Sequence, residues 1–175
     1  MKSCKIIIEG PDRVGKDTLI NGIIKEYKKN FLLLHYYATP DKDKPIEWGS
    51  EQYHNMFRMF ALNDFIISSR AHLGEKVYPT LYGGYDGSYV DKIESIYDTS
   101  DILLITLIDT PENLISRDDG LSHSIDIGQK RKEIELFIDA HENSSIKNKM
   151  LIDIKDYNAE KLKEKVFSFI NKMEK

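Results

Sequence analysis

Five short runs of apolar residues along the 175-residue chain predict five buried β-strands. The runs lie at 5–9, 31–37, 65–67, 102–108 and 150–154, and most are continuous stretches of isoleucine, leucine or phenylalanine. Continuous apolar runs are typical of parallel strands that are covered on both faces. The pattern therefore predicts a five-stranded parallel sheet with helices on each side.

The segments between these runs show helical spacing. Apolar residues recur three or four positions apart from 20 to about 29, about 50 to 60, 88 to 97, 134 to 141 and from 158 onward, and Thr110-Pro111 marks another helix start. Strands that alternate with helices indicate a three-layer α/β/α fold. No Pro-, Gly- or Ser-rich linker divides the chain, so we predict one domain over residues 1–175.

Two stretches fit neither pattern. Residues 72–89 are rich in tyrosine and glycine, which favours a loop or short helix near a ligand. Residues 117–128 are polar and weakly periodic. Because exposed loops on a rigid scaffold often carry function, we predict a short flexible lid at about 117–131.

Composition and charge narrow the class of protein. Hydrophobic residues make up 41% of the chain and charged residues 31%, which excludes a disordered chain. The formal charge of −4 argues against broad nucleic-acid binding, which relies on a basic surface. No apolar run approaches the roughly 20 residues of a membrane-spanning helix, and the first residues lack the pattern of a signal peptide. We expect a cytoplasmic protein with small-molecule ligands and no membrane partner.

A glycine-rich stretch between the first strand and the first helix carries the clearest chemistry. Residues 9–18 read Glu-Gly-Pro-Asp-Arg-Val-Gly-Lys-Asp-Thr and match the spacing G-x-x-x-x-G-K. Gly10 and Gly15 allow a tight turn that presents backbone N–H groups, the helix adds its positive end, and Lys16 adds an ammonium group. We therefore predict a P-loop that binds a polyphosphate, in a fold of the P-loop NTPase type.

The position after the P-loop lysine departs from the usual pattern. Asp17 stands where serine or threonine is expected, and a hydroxyl follows only at Thr18. A carboxylate can hold Mg²⁺ directly or through water. Asp17 is therefore the candidate metal ligand.

The topology brings distant residues together. In an open parallel sheet, ligands bind at the carboxyl ends of the strands. The P-loop, Pro40, Arg70 and Asp109 all follow predicted strands. We expect them to meet at one edge of the sheet.

Three stretches resemble thymidylate kinases and thymidylate-kinase-like proteins of phages and bacteria. They are the P-loop at 9–16, Arg-Ala-His-Leu-Gly-Glu-Lys-Val-Tyr at 70–78, and Arg-Asp-Asp-Gly-Leu-Ser at 117–122. The resemblance implies transfer of the ATP γ-phosphoryl group to dTMP, giving dTDP, with Mg²⁺. Catalysis then consists mainly of positioning and neutralising phosphates. By this resemblance the ATP phosphates would be bound by Gly10, Val14, Gly15, Lys16, Asp17 and Thr18.

The resemblance also assigns residues to the acceptor side. Arg13 would contact the transferring phosphate, Asp12 the 3′-hydroxyl of the acceptor sugar, and Arg70 the acceptor phosphate. The aspartate that precedes this arginine in the family is replaced by Ser69, for which Asp17 could compensate. Lys16, Arg13, Arg70 and the lid residue Arg117 are the expected catalytic cations, and Arg131 is a second lid cation that would bind ATP.

The resemblance is looser for the base pocket than for the P-loop. By the resemblance, Phe57 would stack on the base and Arg58 would read its carbonyl edge, although the spacing of Phe57 fits a core stripe equally well. Glu75 and Tyr78 are further substrate-binding candidates. Thr39-Pro40 resembles the family's loop after the second strand, but Asp41 replaces the arginine that usually follows. Members of the family commonly form twofold dimers, and the apolar surface around Met56 to Phe60 together with the helix from Ser88 would permit a homodimer.

Several alternatives stay open at this stage. A kinase for dUMP or for several deoxynucleoside monophosphates would show the same motifs, because thymine and uracil differ by one methyl group. A deoxynucleoside kinase needs a carboxylate base near Arg70, where Ser69 stands. A non-catalytic nucleotide-binding regulator would share the P-loop but has no need of acceptor-side arginines. The guanine motif of GTP-binding switches, Asn-Lys-x-Asp, is absent from the sequence.

Overall fold

A computed structural model describes residues 3–36 and 43–173 of the chain. Five parallel strands form one sheet in the order β2-β3-β1-β4-β5. The strands are β1 (Cys4–Glu9), β2 (Leu32–His35), β3 (Phe65–Ser69), β4 (Ile102–Ile108) and β5 (Asn148–Asp153). The predicted five-stranded parallel sheet is thus confirmed.

Seven α-helices connect or flank these strands within the described residues. They are α1 (Lys16–Tyr27), α2 (Pro45–Leu62), α3 (His72–Tyr78), α4 (Tyr89–Ile96), α5 (Pro111–Ser116), α6 (Ile127–Asn143) and α7 (Ala159–Met173). A π-helical turn at Pro79–Gly83 and a 3₁₀ turn at Ile154–Asp156 complete the described structure. None of the described helices has the length and apolar character needed to cross a bilayer.

The helix boundaries differ from the predicted ones in two places. Helix α2 begins at Pro45, earlier than the predicted start near residue 50, because proline is well accommodated at the first helical position. Helix α6 begins at Ile127, where Asp126 caps it by accepting a hydrogen bond from the Gln129 N–H. The predicted lid of 117–131 therefore shortens to a non-helical segment at 117–126.

Two apolar cores cover the two faces of the sheet. Successive β1 residues pack into opposite cores. Ile6 and Ile8 pack with α1 and α7, whereas Ile7 packs with α2, α3, α4 and α6. All three isoleucines are essentially inaccessible to solvent. This arrangement confirms the α/β/α layers, and it explains why the strand sequences are apolar throughout.

The apolar surface predicted to form a dimer is part of the second core. Met56, Phe57 and Phe60 lie on the inner face of α2 and are at most 1% exposed. Their helical spacing was that of a core stripe. These three side chains therefore do not supply a dimer surface, and the homodimer itself stays a prediction.

Candidate active site

The P-loop joins the carboxyl end of β1 to the first turn of α1. Gly10 has φ of 134°, and a Cβ atom there would lie 2.1 Å from the Leu107 carbonyl oxygen. Gly15 has φ of 88° and precedes α1 directly. Within residues 3–36 and 43–173, no side chain caps this helix. Its first N–H groups are therefore available to an anion, as a phosphate site at a helix N-terminus requires.

Lys16 lies inside this loop and is 6% exposed. Its Nζ donates hydrogen bonds to the carbonyl oxygens of Gly10 at 2.8 Å and Pro11 at 2.7 Å. Burial lowers the pKa of Lys16 to about 8, although the Asp12 carboxylate opposes that change. The ammonium group is thus held in the cradle in a position where a bound phosphate would stabilise its charge.

Two predicted phosphate-binding arginines have backbone conformations that are uncommon for their type. Arg13 has φ of 68° and Arg70 has φ of 61°. Such conformations cost about 1–3 kcal/mol each and cluster at functional sites. The Arg70 turn is held by its N–H, which donates to the Ile8 carbonyl, and by the Ser68 hydroxyl, which donates to the Arg70 carbonyl.

The same two arginines lack part of their hydrogen bonding. Arg70 pairs with Asp12 at 2.9 Å and Arg13 pairs with Asp119 of the lid. Among the residues that the structure describes, however, the buried Nε atoms of both arginines have no hydrogen-bond partner. Buried donors without partners are rare and costly. They mark this edge as a place where an oxyanion would supply the missing acceptors.

The segment at 117–126, the predicted lid, contacts the P-loop. Arg117 forms an ion pair with the buried Asp109 at 2.8 Å, and it donates to the Arg13 carbonyl oxygen at 3.4 Å. His123 stacks on Tyr82 with 5.1 Å between the ring centroids and an 11° interplanar angle. Arg117, the predicted lid cation, thus reaches the phosphate loop.

The second predicted lid cation does not lie in the lid segment. Arg131 is exposed on the surface of α6, whereas its neighbour Lys130 is 1% exposed. Lys130 donates from Nζ to the buried carboxylate of Glu133, which also accepts a hydrogen bond from the Tyr82 hydroxyl. In the part of the chain that the structure describes, Arg131 forms no hydrogen bond or ion pair with the phosphate loop, so its role in ATP binding stays a prediction.

Tyr78 and Asp12 are two further residues that the sequence assigns to substrate binding. The Tyr78 hydroxyl is buried and has no hydrogen-bond partner among the described residues. Burial raises the pKa of this hydroxyl, the charges of Asp12 and Glu133 raise it further, and the charge of Arg70 lowers it. The Tyr78 ring lies 5.0 Å from the His123 ring, measured between centroids, and the role of Tyr78 in substrate binding stays a prediction.

Glu75 occupies a cage of tyrosine hydroxyl groups. Tyr85 and Tyr89 each donate to its Oε1 at 2.8 Å, and Tyr53 donates to its Oε2 at 3.3 Å. Gly49 lies beside this cage, and a Cβ there would meet the Tyr89 hydroxyl, so a larger residue would have to displace it. Burial raises the pKa of Glu75, and the three hydroxyl donors oppose the rise. The cage joins α2, α3 and α4.

The two predicted base-binding residues differ in burial, since Phe57 is buried and Arg58 is exposed. Phe57 is 1% exposed, stacks on Tyr97 at 5.3 Å between centroids, and contacts the His72 ring at 5.4 Å. Because its ring is enclosed in the core, the structure contradicts the prediction that Phe57 stacks on a base. Arg58 is exposed and donates to Asn55 at 3.3 Å. Its role in reading a base stays a prediction.

The first turn of α1 offers one carboxylate to a magnesium ion. Asp17 and Thr18 are exposed in the first turn of α1, next to the cradle. Among the described residues, no group of three or more His, Cys, Asp or Glu side chains could hold a metal without a ligand. Mg²⁺ usually binds through one or two carboxylates together with substrate phosphates and water. One carboxylate beside a phosphate cradle therefore fits this ion.

Sequence reasoning missed three residues at this edge. Asp119 pairs with Arg13, and His123 stacks on the ring of Tyr82. His35 ends β2 and lies in register with Ser69. Its place at a strand end was a usable signal, whereas nothing in the polar lid sequence distinguished Asp119 or His123. The predicted residues Thr39, Pro40 and Asp41 lie outside the described residues.

Comparison with solved structures finds the same fold in several proteins, among them nucleotide and nucleoside kinases. YorR from Bacillus subtilis, solved with phosphorylated GDP, has a TM-score of 0.74 at 19% identity over 96% of each chain. Thymidylate kinase from Candida albicans gives 0.64 at 17% identity over 99% of this chain and 94% of that one. Deoxyadenosine kinase from M. mycoides, solved with dATP, gives 0.66 at 16% over 96% of this chain and all of that one. At sequence identities this low, the similarity shows that the fold is shared and does not show a shared activity.

Sequence comparison adds no family to this result. No protein-family model matches the chain, and no curated protein sequence matches it.

Proposed function

We propose that the protein is an ATP- and Mg²⁺-dependent kinase that phosphorylates a deoxynucleoside monophosphate, with dTMP as the preferred substrate and dTDP as the product. The observation that carries this proposal is the pair of arginines with unpartnered Nε donors, Arg13 and Arg70, beside the Lys16 cradle. A protein that only binds ATP needs the cradle and Lys16. A cation on the acceptor side is needed when a second phosphate must approach the first.

In this mechanism each cation changes partner when substrates bind. The loop N–H groups and Lys16 hold the donor phosphates, and Arg13 leaves Asp119 to bridge the transferring phosphoryl group. Arg70 holds the acceptor phosphate. An acceptor oxygen then forms a bond to the γ-phosphorus while the bond from that phosphorus to the β-phosphate oxygen breaks. The planar guanidinium groups match the oxygens of two phosphates at once.

Magnesium and the lid complete the proposal. Asp17 would hold Mg²⁺, which when bound neutralises charge on the donor phosphates. The lid excludes water, because Arg117 already bridges Asp109 and the Arg13 carbonyl above the loop. Exclusion of water limits the loss of ATP to hydrolysis. Asp12 and Tyr78 are the proposed contacts to the acceptor sugar and phosphate.

A deoxynucleoside kinase is the second candidate, favoured by the similarity to the deoxyadenosine kinase fold. Such an enzyme needs a base for a sugar hydroxyl. Ser69 stands before Arg70, and its buried hydroxyl has no partner among the described residues. A serine hydroxyl is a poor proton acceptor at neutral pH, so the monophosphate is the better acceptor.

The test is a Mg²⁺-ATP transfer assay with dTMP, dUMP, dCMP, dGMP, dAMP, thymidine and deoxyadenosine. We expect fastest turnover with dTMP. Preference for dUMP or equal use of several monophosphates would change the assigned base, and turnover of nucleosides alone would establish the second candidate. ATP binding without transfer to any acceptor would reject a kinase and leave a P-loop regulator.

An arginine variant separates the catalytic role from a structural one. We expect Arg70→Ala to lower kcat/KM for the acceptor about a hundredfold, since it removes a charged donor from the transferring phosphates. Lys92→Ala, at an exposed position on α4, is the matched control and should change kcat/KM less than twofold. Equal effects of the two variants would contradict the proposed role of Arg70.

A further inference from the structure

His35 is the last residue of β2, at the carboxyl edge of the sheet. In the parallel register it lies beside Ser69, and the next residue, Tyr36, donates its backbone N–H to the Ser69 carbonyl at 3.4 Å. Ser69 directly precedes Arg70 and is also in register with Ile8 of β1. His35 is therefore one strand away from the turn that presents Arg70.

The alternation of side chains along β2 decides which way His35 faces. Leu32 and Leu34 pack against the core formed by α2, α3, α4 and α6. Because successive side chains of a strand point to opposite faces, Leu33 and His35 face the other side of the sheet. Helix α1, which begins at Lys16, covers that side. The imidazole thus lies on the P-loop side of the acceptor edge.

The electrostatic surroundings of His35 agree with this placement. Burial lowers its pKa, and the charges of Arg70, Asp17, Lys16 and Asp12 act on it as well. All four are proposed site residues, and they come from the P-loop, α1 and the end of β3. The imidazole is exposed, and it lies close enough to all four side chains to be influenced by their charges, since charge effects weaken with distance.

We propose that His35 is an acceptor-binding residue that donates an imidazole N–H to the phosphate held by Arg70. This inference rests on the proposed function and identifies one of its substrate contacts. A neutral imidazole carries one N–H donor, so the contact requires no additional positive charge beside Lys16 and Arg70. Ser69, the residue paired with His35 in the sheet, has a short side chain, so we infer that the longer His35 side chain supplies the donor at this edge.

The test compares His35→Ala, His35→Gln and the control Leu33→Ala, which alters an exposed residue of the same strand and face. Calorimetry measures the Kd of dTMP, thymidine and ADP for each variant. We expect His35→Ala to weaken dTMP binding about tenfold, the usual scale of a hydrogen bond to a charged group. Thymidine and ADP binding should change less than twofold, and His35→Gln, which keeps an N–H donor, should recover part of the affinity for dTMP.

Two outcomes would overturn the inference while leaving the proposed function intact. Either His35→Ala binds and phosphorylates dTMP as the wild type does, or it loses affinity for dTMP and thymidine equally, which places its effect away from the phosphate. Failure of the proposed function has a different signature, because the wild-type protein would then neither bind nor phosphorylate any monophosphate. In that case the inference is rejected with it.

Discussion

Nucleotide affinity should depend on pH above neutrality, because Lys16 must be protonated to hold phosphate. Burial lowers the pKa of this ammonium group to about 8, from an ordinary value of 10.5. The free protein therefore loses the Lys16 charge as pH rises through about 8. A bound polyphosphate stabilises the charged form, so the complex stays protonated and nucleotide binding takes up a proton.

The size of the effect follows from the fraction of protein that is competent to bind. If only the protonated form binds, the apparent Kd is about 1.1 times its low-pH limit at pH 7 and about 11 times that limit at pH 9. The Kd of ADP should therefore increase about tenfold between pH 7 and pH 9. Proton uptake per ADP should rise from about 0.1 to about 0.9 over the same range.

Calorimetry in two buffers of different ionisation enthalpy measures both quantities. ADP suits the assay because it is not turned over. Lys16→Arg is the control, since arginine stays protonated, and its proton uptake should be near zero at pH 9. A Kd for ADP that is constant from pH 7 to pH 9, with no proton uptake, would refute the lowered pKa of Lys16.

Three further predictions concern stability and the loop. Burial raises the pKa of Glu94, but hydrogen bonding with His72 and the Ser145 hydroxyl outweighs it and lowers the pKa to about 2. The stability that the Glu94 carboxylate contributes to the folded state is therefore complete above pH 4.5 and is lost as pH falls towards 2. The free energy of unfolding, measured with urea, should fall by about 3 kcal/mol over that range because of Glu94, and this loss should be absent in Glu94→Gln. Gly10→Ala should abolish ADP binding in calorimetry, because its Cβ would collide with the Leu107 carbonyl; unchanged affinity would contradict the observed loop geometry. Asp119→Asn should lower the KM for ATP a few-fold in steady-state kinetics by releasing Arg13, and a raised KM would show that Asp119 assists binding.

The sheet and the P-loop were predictable because their signals are local. A strand buried on both faces must be apolar at nearly every position, as in β4, where six of seven residues are buried. The P-loop needs glycine where φ is positive and where the backbone passes close to Leu107. Such requirements act on individual residues and are visible in the chain itself.

Side-chain roles on amphipathic helices could not be read in the same way. Phe57 and Arg58 are neighbours in sequence, yet one is enclosed in the core and the other is exposed. Arg131 and Lys130 show the same division, with the buried lysine paired to Glu133. One helical residue turns a side chain by about 100°, so only the packing of the helix decides which neighbour faces the core.

The sequence by itself determined the α/β class, the phosphate cradle and the edge of the sheet at which a ligand would bind. The tertiary structure decided which cations are paired there: Lys16 with loop carbonyls, Arg13 with Asp119 and Arg70 with Asp12. It also placed His35 beside Ser69 through the strand register. These contacts join residues far apart in the chain, and their distances depend on how strands and loops pack, a property that no local pattern encodes.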